Sequence, residues 1–151
     1  MKKIIILLLG IIMLTGCGAA QKKETGYTCS FSEQGVESTV VFTSDGDKVN
    51  TSKTTMKINY DIFGVVDASM KAQLKETYES TYIGMEGVVI SVSVDADDYL
   101  MMTIDVDFKV ADRDYLIAAG LVEEDDYDGE FVSLKKIVAS TVDNGYKCSN
   151  K

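Results

Sequence analysis

Alternating apolar residues in five short stretches, two hairpin signals and three capped runs of helical periodicity predict an α+β domain, an antiparallel sheet of about five strands with two to three helices packed on one face. Tyr27, Cys29 and Phe31 share one face of a first strand, Val40 and Phe42 of a second, and Met56, Ile58, Tyr60 and Ile62 of a third. Asp45-Gly46 is a two-residue turn signal, because both central positions tolerate positive φ. Such a turn pairs Phe42 with Val49, yet the later apolar set sits on even positions, so a bulge is expected between Thr51 and Thr55.

Asp67 is the expected N-cap of a helix to about Tyr82, with Met70, Leu74, Tyr78 and Tyr82 as its buried stripe. A second hairpin sets Val92 opposite Met102 across a loop from Asp95 to Tyr99. Its reverse face pairs Ser93 with Met101, Ser91 with Thr103 and Val89 with Asp105, so this sheet is covered on one side. Asp112 caps a short helix through Ala119 that stops at Gly120. Ser133 caps another, whose Leu134, Ile137, Val138, Thr141 and Val142 form a stripe ending at Gly145. Tyr146-Lys147-Cys148 then returns beside the first strand.

The 151 residues carry 15 Lys plus Arg against 24 Asp plus Glu, a net charge of −9, and no His. Nucleic acid is excluded as a partner, since the charge repels phosphate and no basic stripe exists. The absence of imidazole removes histidine-base mechanisms, the Ser-His-Asp triad and the usual zinc ligand sets.

Lys2 and Lys3, the apolar run Ile4 to Leu14 and the tetrapeptide Leu14-Thr15-Gly16-Cys17 read together as a signal peptide of residues 1–16. The run is too short to span a bilayer, which takes about 20 apolar residues. Leu14-Thr15-Gly16-Cys17 resembles the bacterial lipobox, which implies a diacylglyceryl group on Cys17 as the mature N-terminus and a membrane contact made through that anchor, on the extracytoplasmic side of the bacterial cell membrane. Two or more acyl chains, palmitate among them, hold a protein at a bilayer stably. Cleavage removes two lysines and takes the charge from −9 to −11. Residues 17–26 are then a small, polar tether of at most about 30 Å, and residues 27–151 a single domain.

Two cysteines remain, Cys29 and Cys148, in a chain that has left the reducing cytosol, and a disulfide between them is the economical expectation. No Cys-x-x-Cys spacing supports redox catalysis. The acidic stretch Glu123 to Glu130 has the alternating acids of a calcium loop, but Lys135 stands where a bidentate glutamate closes such a loop, and an extended solvated segment is expected. Asp95, Asp97, Asp98, Asp105 and Asp107 look exposed, whereas acid–base pairs need a buried member. No catalytic residue, no metal ligand and no cofactor is assigned.

Three segments resemble the YehR-like bacterial lipoproteins: Tyr82-Ile83-Gly84-Met85-Glu86-Gly87-Val88 before a strand, Ile104-Asp105-Val106-Asp107-Phe108 before a short helix, and Ser133-Leu134-Lys135-Lys136 leading to Asn144-Gly145-Tyr146-Lys147. The resemblance spans roughly residues 27–148. It implies a small α+β domain on a lipid anchor and brings no catalytic residues with it. The expected role is a binding or interaction module of the cell envelope, with an envelope protein as partner. The alternatives are an enzyme acting on envelope polymers through Asp105 and Asp107, favoured by two acids about 5–10 Å apart in a cleft, and a small solute-binding lipoprotein.

Overall fold

The computed structural model describes residues 25–65 and 67–150. The signal peptide, the lipobox with Cys17 and most of the tether lie outside the described residues. Strands β1 (Thr25–Glu33), β2 (Val36–Asp45) and β3 (Lys48–Asn59) form a meander, and a 3₁₀ turn (Tyr60–Phe63) leads to helix α1 (Ala68–Thr81). A hairpin of β4 (Val88–Ser93) and β5 (Tyr99–Asp107) precedes α2 (Arg113–Ala118). A second 3₁₀ turn (Glu124–Asp126) opens a ribbon of β6 (Tyr127–Asp128) and β7 (Phe131–Val132), followed by α3 (Leu134–Asp143) and β8 (Lys147–Asn150).

The main sheet therefore has six strands, in the order β4-β5-β3-β2-β1-β8 and antiparallel throughout, with the ribbon as a separate two-stranded sheet. This corrects the expected five. β1 and β2 form their own hairpin around Gln34 and Gly35, both at positive φ, which a Gln-Gly pair announces only weakly. The ribbon stands where the sequence predicts an extended solvated loop.

Register follows the apolar pattern where that pattern is strict. Val92 pairs with Met102, Ser91 with Thr103 and Val89 with Asp105, as alternation requires. The β2–β3 turn is displaced by one residue: Asp45 pairs with Lys48, so Gly46 and Asp47 are central and Phe42 faces Ser52 rather than Val49. The bulge comes earlier than expected, at Asn50, because Ser44 pairs with Val49 and Thr43 with Thr51. It keeps Val49, 1% exposed, on the same face as Phe42 while the ladder continues in the other phase. β3 ends at Asn59, before the expected Ile62, which is exposed.

One face of the sheet carries the core, including Cys29, Phe42, Val49, Ile58, Leu100, Met102, Ile104 and Val106. Helices do not cover it alone, which corrects the expected packing. Val122 and the ribbon residues Tyr127 and Val132 join Leu116 of α2 and Ile137 of α3 in the buried cluster. Helix α1 starts where predicted, with the Asp67 carboxylate accepting from the Met70 amide at 2.9 Å, yet none of its residues is fully buried. Its Leu74 and Tyr78 lie half-buried at the edge of the core, and Val142 of the α3 stripe is exposed. No helix of the described residues is long and apolar enough to cross a membrane.

The tip of the β2–β3 turn anchors α3. The Asp47 carbonyl accepts from the Leu134 amide at 2.6 Å, and its carboxylate accepts from the Lys135 amide at 2.9 Å and the Ser133 hydroxyl at 2.7 Å. Ser133 in turn accepts from the Lys136 amide at 3.3 Å. The helix's first amides are thus satisfied largely by a residue 86 positions away in sequence from Ser133.

The Ser133 hydroxyl bond, aided by the Lys135 amide and the nearby lysines, holds Asp47 below its ordinary pKa of 3.8 against a smaller opposing effect of burial. A lowered folded pKa means that this stabilisation is present above the unfolded value and lost as pH falls through the folded one. Asp47→Ala is expected to cost about 1–2 kcal/mol near neutral pH, with Asp47→Asn losing less. Urea unfolding should show the gap to the parent chain closing as pH drops below about 3.8. A gap independent of pH would remove the charge from this account.

Candidate functional site

A cleft of about 160 Å³ lies between the core face of the sheet and α3. Its floor comes from β2 and β3, its sides from α3 and the segment Gly120 to Glu123. Beyond the bulge the even-numbered β3 residues face the core, and at Ser52 and Thr54 that face bears hydroxyls where Met56 and Ile58 bear apolar chains. Val40, Phe42 and Ile137 supply apolar wall, and Thr141 another hydroxyl. At the far end Tyr146 Oη lies 3.0 Å from Ser38 Oγ, and the Tyr146 ring stacks at 5.3 Å on Phe31.

The buried acid of the cleft is Asp126, 3% exposed. Its Oδ2 accepts from the Glu123 amide at 2.8 Å, and its Oδ1 lies 2.7 Å from Ser140 Oγ. Ser140 Oγ is also 3.1 Å from the Ile137 carbonyl, and its single proton favours the shorter contact with the charged acceptor. The backbone pins the residue further, since the Ser133 amide donates to the Asp126 carbonyl at 2.9 Å.

This burial corrects the reading of Glu123 to Glu130 as an extended solvated loop. Tyr127 and Val132, 8% and 2% exposed, are drawn into the core and fold the segment into a 3₁₀ turn and a ribbon. Burial pushes the Tyr127 phenol up, opposed by the Arg113 guanidinium lying 4.3 Å from its ring centre. Two of the remaining acids, Glu124 and Asp128, meet cations at the surface. Arg113 pairs with Glu124 at 3.4 Å, and Lys136 lies 3.6 Å from Asp128 while donating to the Tyr127 carbonyl at 2.5 Å. Among the described residues no three His, Cys, Asp or Glu side chains are grouped to hold a metal ion.

The other residues singled out from sequence lie outside this cleft. Cys29 and Cys148 stand opposite each other on β1 and β8 and are joined in a disulfide, with Cα atoms 3.9 Å apart. Asp105 and Asp107 together line a hollow of about 310 Å³ on the open face of the sheet, with Asp105 paired with Lys53 directly opposite at 3.3 Å. Asp107 turns to accept from the Lys109 amide at 3.0 Å. Along that open face a row of hydroxyls, Ser30, Thr39, Thr55, Thr103 and Ser91, crosses five neighbouring strands.

A family model described as "Protein of unknown function (DUF1307)" matches residues 25–147. The chain is 27% identical over 146 residues to the uncharacterized lipoprotein Lin0239 of Listeria innocua, covering 95% of this chain and 92% of that protein. It is 23% identical over 145 residues to the uncharacterized lipoprotein Lmo0207 of Listeria monocytogenes, with the same coverage of 95% and 92%. In solved structures the fold is similar to the NMR structure of the E. coli YehR protein, with a TM-score of 0.72 at 20% identity over 85% of this chain and 92% of that one. It is also similar to the NMR structure of a protein from Streptococcus pneumoniae, with a TM-score of 0.58 at 17% identity over 99% and 96% of the two chains. At these identities the two structures speak for the fold alone.

Proposed function

The chain belongs to the DUF1307 family, the YehR-like lipoproteins of unknown function, and from that premise we propose that it is a lipid-anchored, extracytoplasmic binding module whose ligand enters the cleft beneath α3. The observation that carries the reading is the contrast between two sets of carboxylates. Those on β5 line an open hollow and stay partly exposed, Asp105 against Lys53 and Asp107 against the Lys109 amide. Asp126, in the cleft, is buried beside open space. A concave, partly apolar site with a few convergent polar groups is what small-ligand binding needs.

The anchor is supported by Leu14-Thr15-Gly16-Cys17 and by the two Listeria lipoproteins that align over nearly the whole chain. Cys17→Ala is expected to shift the protein from the membrane fraction to the soluble or secreted fraction, because a single modified residue carries the acyl chains. Mass spectrometry of the parent should show a mature N-terminus at an acylated Cys17. An unmodified Cys17 on the mature protein, or unchanged membrane retention of the variant, would defeat the assignment.

A further inference from the structure

We propose that the cleft beneath α3 selects a small organic cation, with an ammonium group seated on the Asp126 carboxylate; this rests on the reading of the cleft as a ligand site. The Asp126 carboxylate is 3% exposed and lines the cleft, where an ammonium group can meet it. Asp126 has two neutral donors, the Glu123 amide and Ser140 Oγ, while a carboxylate offers about four acceptor sites. Its neighbours of positive charge are directed elsewhere, Lys136 to Asp128 and the Tyr127 carbonyl, and Arg113 to Glu124 and the Tyr127 ring.

No Lys or Arg lines the cleft among the described residues, and the second charged residue lining it is Glu123, which is exposed at its rim. Both charged groups that meet an incoming ligand are therefore acids, and the strongly acidic chain adds a long-range attraction for cations. The remaining lining defines the rest of the ligand. Val40, Phe42 and Ile137 suit a short apolar segment, and Ser52, Thr54 and Thr141 suit a ligand that also bears hydroxyl or further N–H groups.

Calcium is a poor fit. It takes six to eight oxygen ligands, whereas this cleft is lined by one buried carboxylate and one at the rim. An ammonium needs only a few acceptors and tolerates apolar walls on its carbon side. The cavity volume of about 160 Å³ sets the scale at a small molecule, not a peptide.

The test is a nitrogen–proton NMR titration of the full-length chain in detergent micelles with n-propylammonium chloride, against propan-1-ol and against sodium and calcium chloride at equal ionic strength. Saturable shifts confined to amides of Gly120 to Glu123 and Ser140 to Asn144 are expected for the ammonium at millimolar affinity. The alcohol should bind at least about tenfold more weakly, as loss of a charge-assisted hydrogen bond implies. Asp126→Asn should bring the ammonium down to the alcohol's affinity. Should that variant misfold, Glu123→Gln at the exposed rim should still weaken the ammonium about twofold and leave the alcohol unchanged.

Equal binding of ammonium and alcohol at these amides would overturn the cationic assignment and leave the cleft standing as a ligand site. Binding of neither would overturn both. Shifts spread over the acidic surface and erased by sodium chloride, or saturable calcium binding at the same amides, would also overturn the proposal.

Discussion

Replacing Cys148 by serine is expected to lower the stability of the folded domain by about 3–5 kcal/mol, read as a fall in Tm of about 10–20 °C. The bond closes a sequence separation of 119 residues, for which the chain-entropy contribution is about 5 kcal/mol. Native geometry agrees with that direction, since Cys29 and Cys148 are directly paired on neighbouring strands and Cys29 is fully buried. β8 has few other means of staying in place. It is a four-residue edge strand, and only Cys148 of the four is even half-buried. The Phe31–Tyr146 stack and the Tyr146–Ser38 contact lie just before it and hold the end of α3 rather than the strand.

Thermal unfolding of the parent with and without reductant gives the same comparison without a mutation. Both should show the loss, and the oxidised parent should contain no free thiol at Cys29 or Cys148. An unchanged Tm on reduction would mean that β8 contributes nothing to the cooperative unit.

The disulfide was legible because compartment and cysteine count leave one pairing, and the β4–β5 register because Val88 to Val92 and Leu100 to Val106 alternate without interruption. Helix starts were legible for a similar reason: Asp67, Asp112 and Ser133 each accept from amides two or three residues on, a local interaction that needs no tertiary partner. The cleft was not legible. Ser52 and Thr54 occupy core-facing positions that an apolar-periodicity reading passes over, although they continue backward the even-numbered face of Met56 and Ile58. Asp126 was hidden by its neighbours, because five other acids within Glu123 to Glu130 make the segment look solvated while Tyr127 and Val132 decide its fold. Asp47 as the anchor of α3 was beyond reach, since its partners at Ser133 and Lys135 are brought to it only by the closed sheet. Long-range polar pairs leave no period in a sequence.

Gly87→Ala is expected to destabilise the domain by about 2–4 kcal/mol, whereas Gly84→Ala, three residues earlier on the same connection, should cost about 1 kcal/mol. Both glycines have positive φ, 76° at Gly87 and 82° at Gly84, so the backbone penalty of a side chain is shared. The difference is space. A Cβ on Gly84 would meet nothing within 4 Å, but one on Gly87 would lie 2.7 Å from the Ala111 amide nitrogen and 2.9 Å from the Asp107 carbonyl oxygen. Those atoms belong to backbone that has no freedom to withdraw. The Asp107 amide donates to the Gly87 carbonyl at 2.8 Å, the Ala111 amide to the Asp107 carbonyl at 2.9 Å, and the Phe108 amide to the Asn50 carbonyl at 3.0 Å. Relieving the clash therefore requires breaking the junction where β4 begins, β5 ends and the bulge of β3 meets them. Urea denaturation of the two variants side by side measures the packing contribution as their difference, about 1–3 kcal/mol. Equal losses would show that the close approach at Gly87 is not maintained in solution.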